Sequence, residues 1–236
     1  MRGLILTAIV AAAAAAGCTA KQSSDPGPNG AKDFAVDDFK SIESAGSYDV
    51  TVRTGTRPSV RAEGPQNMLD RLVVEVKGDR LTIRPQNGNF HWGKAEPVRI
   101  AVTVPELHGA TIAGSGTLSV DKVVADTFKA TIAGSGDLSL PQVSAKSLEL
   151  EIAGSGSGSL AGKADSANYS IAGSGEVDAS KLQSKDVQLN IAGSGGVSAN
   201  ATGTVQGAIM GSGEARITGG AKCQVTKAGS GSITCS

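Results

Sequence analysis

Ile112-Ala-Gly-Ser-Gly116 is written again from Ile132, Ile152, Ile171 and Ile191, then as Ile209-Met-Gly-Ser-Gly213 and Lys227-Ala-Gly-Ser-Gly231. The seven copies are spaced 20, 20, 19, 20, 18 and 18 residues apart. A period in this range marks stacked supersecondary units, none of which can bury its apolar face without its neighbours. It also points away from an enzyme built around one buried site.

The flanks of each copy define the unit. Two residues before the Ile column stand Ala110, Ala130, Leu150, Tyr169 and Leu189, and four before it His108, Phe128, Leu148, Ala167 and Val187. Polar residues such as Lys129, Glu149, Asn168 and Gln188 fall between them, the period of two of a strand with one dry and one wet face. Beyond the corner the alternation resumes, with Leu118/Val120, Leu138/Leu140, Val177/Ala179 and Val197/Ala199 inward. Each unit reads as strand, tight Gly-Ser-Gly corner, strand, and a looser polar return such as Asp121-Lys122 or Ser184-Lys185. Glycine on both sides of the corner suits backbone angles closed to other residues and lets successive corners stack closely.

Stacking like strand on like strand predicts an all-β, single-domain parallel β-helix, or solenoid, with about seven regular coils of 18–20 residues. At the usual strand spacing it is a rod roughly 34 Å long. The absence of a 3.6-residue period and the 32 glycines argue against helices. The ragged period favours a right-handed coil over the stricter left-handed hexapeptide kind.

The N-terminus carries Arg2, a short apolar run from Leu4 to Ala16, and Gly17-Cys18. That run is too short to span a bilayer and has the length of a signal-peptide core. Ala15-Ala16-Gly17-Cys18 resembles the bacterial lipobox. The resemblance implies a lipoprotein signal peptide over 1–17, lipidation of Cys18 and attachment to the membrane through that lipid. Thr19, where an Asp would suggest inner-membrane retention, favours an outer-membrane lipoprotein facing periplasm or medium. An uncleaved anchor and an ordinary signal peptide are the alternatives. Residues 18–32 lack apolar periodicity and are rich in turn formers, so a disordered tether is expected there.

The solenoid domain is expected over 33–236, less regular in 33–107 than in 108–236. Tyr48–Arg53, Leu72–Lys77 and Leu81–Arg84 alternate, the last two joined by Gly78-Asp79 in a hairpin, and Val98–Val104 leads into the first full coil. Ala45-Gly46-Ser47 looks like a worn corner, so this part is read as early coils carrying insertions. In an exported chain, Cys223 and Cys235, on inward columns either side of the last corner, are expected to form a disulfide across the open end, the alternative of metal binding being disfavoured by the lack of a neighbouring His. Lys227 in the Ile column discourages stacking of another chain on that end.

Candidate chemistry is sparse. The 22 basic and 22 acidic side chains balance, with no basic stripe for nucleic acid. After the corners come Thr117, Asp137, Ser157, Glu176, Gly196, Glu214 and Ser232, with acids on alternate rungs ~10 Å apart. Avoidance of like charges on adjacent rungs accounts for this pattern, and a catalytic acid pair is the alternative. Ser119-Val-Asp-Lys122 spans a strand end rather than opening a helix. The Gly-x-Gly corners precede strands where a nucleotide loop needs a helix N-terminus. His108 reads as core and His91 as a loop residue. No catalytic constellation, metal set or cofactor is implied. Phe90, His91 and Trp92, in the segment Gln86–Pro97, form a possible contact loop for sugar or protein, or else fold back on the solenoid's flank.

Phe39-x-x-Ile42, the strand pair around Gly78-Asp79-Arg80-Leu81-Thr82-Ile83 and the serial Ala/Met-Gly-Ser-Gly corners resemble the autotransporter-adhesin head family, the GIN domain, over about residues 34–235. The resemblance implies a pectin-lyase-like β-helix without the lyase's catalytic residues, and an adhesive or envelope role. The expectation is a non-enzymatic, lipid-anchored envelope protein whose repetitive face meets a polysaccharide or an envelope or surface protein. A polysaccharide-active enzyme of the pectin-lyase type is the alternative.

Overall fold

The computed structural model describes residues 27–86 and 97–236. Cys18 and the Phe90-His91-Trp92 loop lie outside them. The N-terminal part runs β1 (Asn29–Phe34), β2 (Ser41–Gly46), β3 (Asp49–Thr54), β4 (Ser59–Pro65), α1 (Gln66–Leu69), β5 (Leu72–Lys77), β6 (Arg80–Pro85) and β7 (Arg99–Val104). The repeat follows with β8 (Gly109–Gly114), β9 (Thr117–Val120), β10 (Val123–Gly134), β11 (Asp137–Gly154), β12 (Ser157–Gly173) and β13 (Glu176–Gly193). It closes with β14 (Gly196–Ala201), β15 (Thr204–Gly211), β16 (Glu214–Thr218), β17 (Lys222–Ala228) and β18 (Ser232–Cys235). The chain forms an all-β solenoid of about 6 turns.

The repeated pentapeptide builds the rod's spine. Ile112, Ile132, Ile152, Ile171, Ile191 and Ile209 pair in direct register through parallel strands. None is more than 1% exposed. The first glycine of each corner from Gly114 to Gly211 has φ between +118° and +143°, a region closed to side chains. From Gly114 to Gly193 its carbonyl accepts the N–H of the serine one coil later, as Gly134 does from Ser155 at 2.9 Å, and Gly211 accepts instead from Gly231. The second glycine has no such angle. It is required because an added Cβ at Gly156 would lie 2.5 Å from the Gly136 carbonyl oxygen and 2.6 Å from Ile132 Cγ2. Special backbone angles are thus needed at the first glycine alone, and empty space at both.

The return is a third sheet, not a loose polar connection. Val123 pairs with Val143, Val143 with Gly162 and Gly162 with Leu182. Ser184, expected in a solvated turn, is 1% exposed. Two sheets alone would leave one flank of Phe128, Leu148 and Leu189 facing water, and the third sheet closes it. Register shifts between Leu140/Val143, Ser159/Ala161 and Ala179/Gln183 absorb the uneven repeat lengths at the bend before this sheet. The Ile column therefore stays aligned while the period wanders.

The early coils are interleaved rather than simply interrupted. Gly46, with φ +134°, stacks on Gly114, so Ala45-Gly46-Ser47 is a true corner and β2–β3 is the coil below β8–β9. On the far side of β2–β3 lie β6 and β7, both parallel to it. The coil that comes later in the chain is therefore the outermost in space. Strands β4 and β5 run antiparallel along β7 and β6 and cover that end, with Gly78-Asp79 making the expected hairpin. Met68 and Leu69 of α1 are buried against it. Strand β1 then pairs antiparallel with β4, so residues 29–32, expected in the tether, belong to the folded domain. Their burial alternates along the strand, a weak period that the polar composition hides. The other correction is at His108, which is only half-buried and bonded to Glu106; Leu107 is the buried residue there.

At the opposite end, Cys223 and Cys235 are disulfide-bonded, with Cα atoms 6.6 Å apart, and Lys227 is exposed in register with Ile209. Closing a loop of this size stabilises by roughly 3 kcal/mol in the chain-entropy model. Stability in a solenoid is close to a sum over neighbouring units. Reduction should therefore strip hydrogen-exchange protection from β17 and β18 and leave β10–β13 unchanged. Two titratable thiols at Cys223 and Cys235 in unreduced, denatured protein would refute the pairing.

Both tyrosines are in the core: Tyr48 is 1% and Tyr169 0% exposed. Burial pushes the Tyr48 phenol up to about 12. It pushes Tyr169 further, and the neighbouring Ser184 offsets only part of that. A raised folded-state value means that these neutral phenols contribute stability in full below the unfolded value near 10, lost as pH rises through the folded values. Phenolate absorbance should therefore stay low past pH ~10 and then rise cooperatively with unfolding. Smooth ionisation of the native protein centred near pH 10 would contradict this packing.

Candidate functional site

Two outward surfaces repeat along the rod. The first is the corner ridge, where Thr117, Asp137, Ser157, Glu176, Gly196 and Glu214, singled out after the glycines, stand in one column that the structure extends to Asp49. Thr117 Oγ1 donates to Asp49 Oδ1 at 2.9 Å, and Ser157 Oγ donates to Asp137 Oδ1. In these two cases the neighbouring rung supplies a hydroxyl to the acid. This is a solution to like-charge crowding, and it keeps two carboxylates from sharing a proton. The Ser119–Lys122 motif is absorbed too: the Asp121 carboxylate accepts from Thr54 N at 3.0 Å and ties the end of β3. Among the described residues, no group of three His, Cys, Asp or Glu side chains could hold a metal ion.

The second surface is a groove on the third side, with a volume of about 820 Å³. Its floor is the small column Ala125, Ala145, Ala164 and Ser184, paired rung to rung in parallel register. Small side chains there let the sheet sink between longer ones. One wall carries Val124, Ser144, Lys163 and Gln183, and the other Asp126, Lys146, Asp165 and Lys185. The second wall thus alternates in charge at successive rungs. Lys146 Nζ lies 2.8 Å from Asp126 Oδ1, and that hydrogen bond raises the ammonium's pKa. At the rim, Glu106 is 2.7 Å from His108, whose hydrogen bond holds the carboxyl below its ordinary value.

A second concavity of about 430 Å³ includes Ser147, Ser166, Asn168, Asp186, Gln188 and Thr204. Thr204 donates from Oγ1 at 2.7 Å and from its backbone N–H at 3.0 Å to Asp186, and the hydroxyl's bond leads in lowering that carboxyl's pKa. Asn168 Oδ1 is buried without a hydrogen-bond partner.

Sequence reasoning examined the corners and passed over this groove. Its signal was available: two residues before the Phe128 column, Asp126, Lys146, Asp165 and Lys185 alternate. The assumption of a loose return hid it. Cys18 and the contact loop Phe90, His91 and Trp92 lie outside the described residues.

Residues 38–221 match the family model described as "Putative auto-transporter adhesin, head GIN domain". The chain belongs to this family. Solved structures repeat the fold of this GIN domain. A putative adhesin from Bacteroides fragilis superposes with a TM-score of 0.82 at 22% identity, over 89% of this chain and 97% of that one. A putative lipid binding protein from Parabacteroides distasonis gives 0.72 at 26% identity, over 89% and 97%. A putative adhesin from Parabacteroides merdae gives 0.70 at 20%, also over 89% and 97%. A comparison with curated proteins finds no match. Family and neighbours together support a suspected adhesion role at the cell envelope or surface.

Proposed function

We propose that this GIN domain is a non-enzymatic adhesin held at the outer membrane by a lipid on Cys18, and that it meets a polysaccharide or an envelope or surface protein through its repetitive sheets. The observation that carries the reading is the hydrogen-bonded spacing of the corner acids, joined to membership of an adhesin family. An active acid pair needs two carboxylates in unlike environments within reach of one bond. The corner column instead keeps its acids two rungs apart, with Asp137 accepting from Ser157 and Glu214 paired with Arg216 at 2.9 Å.

Two measurements test the reading. Cys18→Ser should abolish incorporation of labelled fatty acid and release the chain from membranes; undiminished labelling would overturn the anchor. Asp137→Asn, Glu176→Gln and Glu214→Gln should each change stability by less than about 0.5 kcal/mol, as exposed positions do, and leave adhesion of immobilised protein to cells or matrix intact. A polysaccharide-cleaving activity abolished by one of these three would make the protein an enzyme.

A further inference from the structure

We infer that the third-side groove binds an extended glycan strand lying along the solenoid axis, one that alternates an N-acetylated amino sugar with a carboxylate-bearing sugar. This rests on the adhesin reading and gives it a ligand class and a site.

Shape comes first. The groove crosses at least four coils, so it runs about 15–20 Å parallel to the rod at the spacing of paired strands. That suits a linear polymer better than a compact ligand. Its floor of Ala125, Ala145 and Ala164 lets a ring's apolar face approach, while one wall offers Ser144, Lys163 and Gln183 and the other its alternating charges to a sugar's edges.

Period then selects the polymer. Like charges on the Asp126-Lys146-Asp165-Lys185 wall recur every second rung, ~10 Å. This is the scale of one disaccharide in an extended β-linked glycan. An extended peptide repeats its same-side side chains at about 6.6–6.8 Å, so it would fall out of step with the wall within one repeat.

Sign completes the selection. Lys146, Lys163 and Lys185 occupy three consecutive rungs, the middle one on the opposite wall. Lys163 and Lys185 hold no carboxylate at ion-pair distance among the described residues, while Lys146 is shared with Asp126. A polymer with a carboxylate on every sugar would press charges against Asp126 and Asp165. A polymer alternating carboxylate with acetamide places its anions at the rungs of Lys146 and Lys185 and its N–H donors at the rungs of Asp126 and Asp165, with Lys163 on the opposite wall one rung from each anion.

The test is calorimetric titration of the full-length chain at low salt with four probes. Two alternate as required: hyaluronan oligosaccharides and peptidoglycan glycan strands bearing lactyl carboxylates. Two do not: chitin oligosaccharides, without carboxylates, and oligogalacturonate, with one on every sugar. At least one alternating glycan should bind more tightly than both controls. Lys163→Gln with Lys185→Gln should weaken it about tenfold or more, as expected for lost hydrogen bonds to a charged partner. Asp137→Asn, on the corner ridge, should leave it unchanged. Hyaluronan alone would indicate a matrix source, and peptidoglycan strands alone a wall source. Tighter binding of oligogalacturonate, no binding of either alternating glycan, or indifference to the double substitution would each overturn the proposal. If adhesion to cells or matrix persists in that variant, the adhesin reading stands without this groove. If the unaltered chain adheres to nothing, the adhesin reading itself fails.

Discussion

Gly154→Ala should destabilise the middle of the rod by about 3 kcal/mol or more, although it adds one methyl group. Gly154 has φ +133°, a region alanine enters only under strain. The new Cβ would also collide with the carbonyl oxygen of Gly134, a backbone atom that cannot swing aside. That same carbonyl accepts the Ser155 N–H at 2.9 Å, so relief of the clash breaks an inter-coil hydrogen bond. Gly156→Ala should cost less, about 1–3 kcal/mol, because its backbone is unstrained and only packing is violated. Ser155→Ala, between them and exposed, should stay within about 0.5 kcal/mol. Thermal and denaturant melts of the three variants give the ranking, and equal losses at Gly154 and Ser155 would remove the structural account of the corner.

Ile152→Asp is expected to cost several kcal/mol. Ile152 is 1% exposed and lies between Ile132 and Ile171 in direct register, so both neighbours on the column are apolar. A carboxylate there has no cation or donor to receive it and must either be protonated or drag the coil open. Ile152→Val should cost only about 0.5–1.5 kcal/mol, since it removes one methylene and keeps the branched shape. Because each coil contacts chiefly its neighbours, the damage from Asp should spread from β11 into β10 and β12 first. Hydrogen exchange would show this as lost protection centred on those strands; uniform loss along the rod would mean a single cooperative unit instead.

Much of the fold was legible because the repeat states each constraint several times. The Ile column, the alternating strands, the corner at Gly46 and the hairpin at Gly78-Asp79 all rest on local rules of period and turn chemistry. His108 misled because it stands where Phe128 and Leu148 stand in later coils, yet Glu106 lies within 2.7 Å and the half-buried ring stays near the surface. The β1 strand was missed because its alternation is shallow and its partner, β4, is antiparallel and outside the repeat.

The sequence by itself determined the coil: a period of 18–20 residues, inward columns and glycine corners. Each follows from the two-residue alternation of a strand and from the lack of space where corners stack. Only the tertiary structure decided that β6–β7 lies outside β2–β3, that β4 and β5 cover that end, and that the return is a sheet holding a charged groove. Those features depend on pairings outside the periodic register and on side chains that meet only across rungs. A one-dimensional pattern states what each rung buries, whereas the order of the rungs and the shape of their shared surface arise when they are stacked.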